Sequence, residues 1–262
     1  MNRIKSPAVA GLFYPAEAAV LHQQIEQYLA AAAGGPEPAP KALIAPHAGY
    51  IYSGPVAGSA YARLKLAASR ITRVILLAPS HRVAFAGIAY SSASQFQTPL
   101  GLIPVDRGAL DELNGLESLQ LNDPAFQEEH SIEVHLPFLQ ETLERFSIVP
   151  LLVGDATAEQ VAEIIERLWG GDESLIVISS DLSHYLDYAS AAAMDRETSQ
   201  AIEALRPEDL TYHSACGRTP VSGLLLVAKK HGLKARTIDL RNSGDTAGSR
   251  DRVVGYGAYV FS

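Results

Sequence analysis

Three short apolar runs in this chain each lead into a histidine. The runs precede His47, His81 and His184, and the third also presents Asp181. Short runs rich in branched aliphatic residues, separated by helical stretches, are typical of buried strands in an α/β sheet. Ligands of such sheets bind at the carboxyl ends of the strands. We therefore expect these side chains to converge, and a metal site is the simplest reason for imidazoles and a carboxylate to meet.

His47 and His81 occupy equivalent places after two neighbouring predicted strands. Ala45-Pro46 precedes the first and Ala78-Pro79-Ser80 precedes the second, and proline restricts the backbone just before each imidazole. A single loop histidine would be interpreted as an ordinary hydrogen-bonded residue. The repeated arrangement instead favours a pair of metal ligands.

Asp181 and His184 lie three residues apart, and their pattern leaves three interpretations open. They are metal ligands, or an acid/base pair in which Asp181 orients His184, or part of a helix start that Asp181 or Ser183 caps. The last interpretation is compatible with either of the others, since a cap can lie at the edge of an active site.

Cys216 is the only cysteine and is followed by Gly217-Arg218-Thr219-Pro220 and an apolar helical stretch. A helix N-terminus and a nearby guanidinium both lower the pKa of a thiol, which favours the metal-binding thiolate. A buried and inert cysteine fits the same residues, and the sequence alone leaves the two interpretations open.

Residues 128–135 are rich in ligand types but do not form an H-E-x-x-H motif. We assign His130, Glu133 and His135 to the rim or second shell of the site, with a capped helix start as the alternative. Tyr50 is assigned to the pocket wall, although an ordinary packing aromatic fits equally well.

The intervening sequence predicts alternating helices and strands. Helices are expected over 15–33 (ending at Gly34-Gly35-Pro36), 54–68, 131–145, 157–169, 188–205 and 219–231, and strands over 41–46, 73–79, 147–153, 174–180, 235–240 and 253–261, with a strand pair formed by 86–91 and 100–105. This alternation predicts one α/β domain over 1–262, with a central mostly parallel or mixed sheet covered by helices.

Composition narrows the classes of partner. The chain has 262 residues and a formal net charge of −8, with no run of Lys or Arg, which argues against a nucleic acid or an anionic membrane as partner. The classes of partner that remain are small molecules and protein segments. A single cysteine cannot form an intrachain disulfide, so we expect a cytoplasmic protein.

Six ordered motifs, taken together, resemble those of the Memo family, the B component of the AmmeMemoRadiSam group, over essentially the whole chain. They are Ala10-Gly11-Leu12-Phe13-Tyr14-Pro15, Ala45-Pro46-His47-Ala48-Gly49-Tyr50, Ala78-Pro79-Ser80-His81, residues 129–137, Ser179-Ser180-Asp181-Leu182-Ser183-His184 and Cys216-Gly217-Arg218-Thr219-Pro220. The resemblance implies a fold similar to class III extradiol ring-cleavage dioxygenases and a functional link to a radical-SAM protein.

The resemblance also implies a metal site at His47, His81 and Cys216, with His184 matching the acid/base histidine of the dioxygenases. Those enzymes use two histidines and a carboxylate, whereas a thiolate is softer and widens the choice of metal to iron, copper or zinc. We therefore expect a redox protein that binds Fe(II), with Cu or Zn as the other candidates, and acts on a small-molecule substrate.

Three alternatives remain open at the level of sequence. The first is a zinc hydrolase in which Asp181 or His184 accepts a proton from water. The second is a non-enzymatic module that binds phosphotyrosine-like or other anionic peptide segments through His47, His81 and Arg218. The third is an enzyme in which Cys216 is itself the nucleophile.

Overall fold

The computed structural model describes residues 3–32 and 39–262, so the predicted helix stop at Gly34-Gly35-Pro36 lies outside the described residues. The helices are α1 (Ala18–Ala31), α2 (Tyr50–Tyr61), α3 (Arg107–Glu112), α4 (Asp123–Gln127), α5 (Leu136–Thr142), α6 (Ala158–Arg167), α7 (Tyr188–Glu203) and α8 (Arg218–His231). The strands are β1 (Ile4–Lys5), β2 (Ala42–Ala45), β3 (Arg73–Pro79), β4 (Ile88–Tyr90), β5 (Gln95–Thr98), β6 (Gly101–Pro104), β7 (Leu119–Leu121), β8 (Ser147–Val153), β9 (Ser174–Ser179), β10 (His184–Leu186), β11 (Ala235–Asn242) and β12 (Val253–Phe261).

A nine-stranded mixed sheet forms the centre of the fold, in the order β10-β12-β2-β9-β3-β8-β4-β7, with β11 also paired to β12. The four strands β2, β9, β3 and β8 are mutually parallel. On either side of them, β12 pairs antiparallel to β2 and β4 pairs antiparallel to β8. This architecture confirms the predicted α/β fold class with a mixed sheet.

The central strands are buried on both faces. Every residue of β9 is buried, although successive side chains of a strand point to opposite faces. Two groups of helices provide the cover: α6 packs against α8, and α1 packs against α2 and α5. Burial on both sides explains why these strands are continuous apolar runs that the sequence reveals so clearly.

The strand predictions 73–79, 147–153 and 253–261 are confirmed residue for residue. The predicted pair of strands 86–91 and 100–105 is wrong, because β4 pairs with β7 and β8 whereas β6 pairs with β5. The partner of β6 is β5, which forms a hairpin with it and whose alternating Gln-Phe-Gln-Thr residues do not stand out as a strand in the sequence.

The helix predicted over 131–145 is shorter than expected. A 3₁₀ turn occupies Glu133–His135 and α5 follows from Leu136 to Thr142, with Pro137 in its first turn. Proline fits the first turn of a helix but not its interior, so it fixes this start. Among the described helices, none is long and apolar enough to cross a bilayer.

Candidate metal centre

The parallel strands deliver the predicted ligands to one edge of the sheet. His47 follows β2 and His81 follows β3, with β9 lying between the two strands, and the two imidazole centroids are 5.1 Å apart. Cys216 reaches the same place from the turn before α8. Each of the three residues offers one ligand atom, and these atoms all lie within 4.8 Å of one another.

The hydrogen bonds of Ser179 fix the tautomer of His47. The Ser179 hydroxyl donates to the Ser131 carbonyl at 2.7 Å, so its oxygen must accept from the His47 Nδ1–H, which lies 2.6 Å away. The other ring nitrogen, Nε2, then carries the lone pair and faces Cys216 Sγ at 3.3 Å. His47 is therefore held in the form that binds a cation through Nε2.

His135 supports this arrangement from behind. Its Nε2 lies 2.8 Å from the same Ser179 oxygen, and its Nδ1 lies 2.8 Å from the Tyr61 hydroxyl. Burial lowers the pKa of His135 to about 3, so the ring is neutral and donates only through Nε2. His135 and His47 thus bind the same Ser179 oxygen, so His135 contacts His47 only through this serine. Tyr61 lies 74 residues from His135 in sequence, and no sequence motif marked it.

Glu129 holds His81 in a corresponding way. Its carboxylate accepts the His81 backbone N–H at 2.5 Å and lies 3.1 Å from the His81 Nδ1. It also accepts the backbone N–H groups of His130 and Ser131. Burial raises the pKa of Glu129, but the hydrogen bonds from His81 and the backbone outweigh it and bring the pKa to about 2. An ionised Glu129 keeps the proton on Nδ1, which leaves Nε2 of His81 for a ligand.

Cys216 is a thiol in this structure. Burial raises its pKa to about 12, and the nearby Asp181 adds to the effect. Of the two interpretations that the sequence left open, this raised pKa agrees with a buried cysteine and is opposite in sign to the lowering expected from its sequence neighbours. The backbone N–H of Gly217, at the start of α8, does lower this pKa, but burial outweighs it, and the Arg218 guanidinium lies over the Tyr212 ring. A bound cation is the partner that would stabilise the thiolate.

Asp181 orients the backbone and not His184. Its Oδ1 accepts the His47 N–H at 2.8 Å, and burial raises its pKa to about 7. Over residues 3–32 and 39–262 no hydrogen bond joins its carboxylate to His184, so the expectation that Asp181 orients that ring is wrong. The carboxylate instead secures the loop after β2, which carries the first predicted ligand.

Two cavities meet at the predicted ligands, and both are lined by His81 and His184. The first, of about 630 Å³, also reaches His47 and His130, and we call it the His47 cavity. The second, of about 560 Å³, reaches Cys216 and Arg218, and we call it the Cys216 cavity. The ligand atoms therefore lie at a junction open to small molecules from two sides.

The family model for Memo-like proteins matches residues 5–260. This chain belongs to the Memo family. Curated MEMO1 family proteins from Aquifex aeolicus and Sulfolobus acidocaldarius are 34% and 36% identical to it, over 99% and 97% of both chains respectively. A solved structure, the uncharacterized protein JW3007 from Escherichia coli K12, superposes with a TM-score of 0.52 at 12% identity, covering 82% of this chain and 98% of that one. That likeness concerns the fold alone.

Of the residues of this Memo-family chain that were predicted to line or support the site, His130 lies at the site, whereas Glu133 and Tyr50 do not. His130 lies at the site, since its ring stacks on that of His81 with centroids 4.9 Å apart. Glu133 instead accepts hydrogen bonds from the Val9 N–H and the Tyr14 hydroxyl, and Tyr50 donates its hydroxyl proton to the Val134 carbonyl. Glu133 and Tyr50 thus tie the N-terminal segment and α2 to the scaffold.

Asp195 of α7 supports the segment that carries His184. Its Oδ1 accepts the Ser183 N–H at 2.9 Å, and burial raises its pKa from 3.8 to about 6. Because the pKa is higher in the folded chain, the stability this group adds is complete below about pH 4 and is lost as the pH rises through 6.

Asp195→Asn should therefore stabilise the protein at alkaline but not at acidic pH. The amide oxygen can still accept from Ser183, and no charge is buried, so we expect the free energy of unfolding to rise by about 2 kcal/mol near pH 8 and to be unchanged near pH 4. Chemical denaturation at both pH values measures the difference. The exposed Asp111→Asn is the matched control, and an equal gain at both pH values would show that burial of the charge is not the cause.

Proposed function

We propose that this Memo-family chain is a redox protein that binds Fe(II), or alternatively copper, through His47, His81 and Cys216. The observation that carries the proposal is the meeting of two imidazole nitrogens and one thiol within 4.8 Å at the junction of two cavities. Held by these residues, such a metal would supply one-electron chemistry.

The donor set suits this class of metal. Two imidazoles with one thiolate favour iron, copper or zinc over magnesium or calcium, which prefer oxygen ligands. Both imidazoles have their second nitrogen occupied, His47 by Ser179 and His81 by Glu129. Such outer hydrogen bonds fix ring orientation and are characteristic of metal-binding histidines.

His184 is the group we assign to proton transfer. It lies at the wall shared by both cavities, and partial burial lowers its pKa, so the ring is largely neutral near neutral pH and able to accept a proton. Its backbone position in β10 is held against β12, at the pairing of His184 with Val254. A substrate in either cavity can therefore approach this ring without moving the ligands.

Elemental analysis of protein purified without oxygen and without affinity-tag metals tests the proposal. We expect close to one equivalent of iron or copper per chain. A chain that takes up neither metal under reducing conditions would overturn the proposal. Zinc as the sole bound metal would also overturn the redox assignment and would favour a hydrolase, in which zinc-bound water is the nucleophile.

His184→Ala separates proton transfer from metal binding. Because the ring is not among the predicted ligands, we expect metal content to stay within error of wild type while substrate-dependent O2 consumption falls by about a hundredfold or more. An oxygen electrode and elemental analysis of the same preparation measure both. Loss of the metal in this variant would show that His184 is a ligand, contrary to the proposed role.

A further inference from the structure

The buried carboxylate of Glu133 anchors residues 8–14, which we call the N-terminal turn. Its Oε2 accepts the Ala8 N–H at 2.6 Å. Its Oε1 accepts the Val9 N–H at 2.9 Å and the Tyr14 hydroxyl at 2.6 Å. Glu133 is only 4% exposed, and a carboxylate accepts such bonds more strongly than a neutral group does. Glu133 therefore holds both ends of the N-terminal turn.

The N-terminal turn is also closed by its own backbone. The N–H groups of Leu12 and Phe13 both donate to the Val9 carbonyl, at 3.0 and 2.9 Å, and the Gly11 N–H donates to the Tyr14 carbonyl at 2.7 Å. Gly11 has a φ of +81°, a left-handed conformation that glycine adopts without strain. Because the turn is internally bonded and held at both ends, the position of Phe13 between those ends is fixed.

Phe13 contacts one of the histidines at the candidate metal centre. Its ring lies against that of His130, with centroids 4.7 Å apart, and its carbonyl accepts the Tyr50 N–H at 2.7 Å. The His130 ring in turn stacks on His81, with centroids 4.9 Å apart and an interplanar angle of 23°. Phe13 and His130 both line the His47 cavity. Contacts thus run from the N-terminal turn to a predicted ligand.

We infer that Glu133 is a positioning residue of the candidate metal centre, which acts through the N-terminal turn and Phe13 to keep His130 packed on His81. Glu133 itself binds the N-terminal turn, so its effect on the centre is indirect. The inference rests on the proposed function only in taking His81 as a ligand. The packing of His130 can be measured without any metal.

Glu133→Gln should loosen the N-terminal turn and uncover His130. One carboxylate oxygen becomes an NH2 group, which would face the N–H of Ala8 or Val9, and two facing donors leave buried polar groups unsatisfied. The His130 side chain is 14% exposed in the folded chain. We expect its modification by diethyl pyrocarbonate in the metal-free protein, measured by peptide mass spectrometry, to become about tenfold faster.

Phe13→Leu separates the ring contact from the carboxylate anchor. This change removes the aromatic ring and keeps every hydrogen bond of Glu133, so we expect His130 to be modified about tenfold faster here too. Amide hydrogen exchange over residues 8–14 should stay at the wild-type rate in Phe13→Leu and become faster in Glu133→Gln. A merely structural Glu133 would not share its effect on His130 with Phe13.

Three further residues serve as controls in the same experiment. Glu128→Gln makes the same charge change at an exposed position, so His130 should be modified at the wild-type rate. The exposed His213 should be modified equally in all proteins, and His135, which is 1% exposed, should stay unmodified wherever the fold is intact. Modification of His135 in Glu133→Gln would show unfolding, and Phe13→Leu would then decide the inference.

The rate at which His130 is modified gives the decisive outcomes. A wild-type rate in Phe13→Leu would overturn the inference, because the ring would not be what covers His130. A wild-type rate in a folded Glu133→Gln protein would overturn it as well, since the carboxylate would not be what holds the ring in place. Faster modification in both variants, with an unchanged rate in Glu128→Gln, would support it.

Cobalt(II) affinity of the same samples tests the effect on the centre. We expect it to fall about tenfold in Glu133→Gln and Phe13→Leu and to be unchanged in Glu128→Gln, as is typical when the support of a ligand is lost. Wild-type affinity with His130 uncovered would overturn the positioning role. A wild-type chain that binds no metal would refute the proposed function, whereas the modification rates would still decide whether Glu133 and Phe13 hold His130.

Discussion

Replacing Cys216 by serine, or His47 by alanine, is expected to reduce bound metal from about one equivalent to less than about a tenth. Each change removes one of the three atoms that lie within 4.8 Å of one another. A serine hydroxyl is a much weaker ligand than a thiolate, and alanine offers no ligand at all. Elemental analysis after anaerobic purification measures the loss.

A spectroscopic readout tests directly whether the Cys216 thiolate binds the metal. Cobalt(II) bound to a thiolate shows a near-ultraviolet charge-transfer band, which Cys216→Ser should abolish and His184→Ala should retain. His22→Ala is the matched histidine control, because His22 is an exposed residue that contacts Glu141. Unchanged cobalt spectra in Cys216→Ser would contradict the assignment of Cys216 as a ligand.

Gly217→Ala is expected to destabilise the protein by about 3 kcal/mol and to lower its metal content. A Cβ at this position would lie 2.6 Å from the Ser179 carbonyl oxygen and 2.7 Å from the Ser180 Cβ. Ser179 is the last residue of β9 and Ser180 follows it, and both are buried, which leaves little room to move. The turn that carries Cys216 would therefore shift away from His47.

Denaturant-induced unfolding, together with elemental analysis, measures both effects of Gly217→Ala. Gly108→Ala is the control, since the nearest atom to an added Cβ there is 3.5 Å away and the residue lies in α3. Alanine has a higher helix propensity than glycine, so we expect Gly108→Ala to leave the free energy of unfolding unchanged or to raise it slightly. Wild-type stability and metal content in Gly217→Ala would show that neither property requires the close approach of the Cys216 turn to the end of β9.

Local sequence patterns were enough to predict the strands of the sheet and the convergence of His47 and His81. The central strands are buried on both faces, which requires the continuous apolar runs seen in β3, β8 and β9. His47 and His81 follow two such runs that end at the same edge of the sheet. Their convergence was therefore predictable from local signals, and so were most of the helices between the strands.

The hydrogen-bond partners and protonation states of these side chains depend on contacts between distant parts of the chain. Glu129 holds His81 across 48 residues of sequence, and Ser179 holds His47 across 132. Hydrogen bonds over such separations leave no periodic pattern in a single sequence. The β5–β6 hairpin was hidden for a different reason, since its strands are adjacent in sequence but β5 alternates polar and apolar residues over only four positions.

Cys216 shows most directly why the neighbouring sequence does not predict the protonation state of a side chain. Its neighbours indicate a helix N-terminus and a guanidinium, both of which lower the pKa of a thiol. In the fold, burial and the adjacent Asp181 raise that pKa to about 12. Desolvation depends on everything packed around a group, so the sequence specified which residues meet, whereas their protonation was decided by the three-dimensional packing.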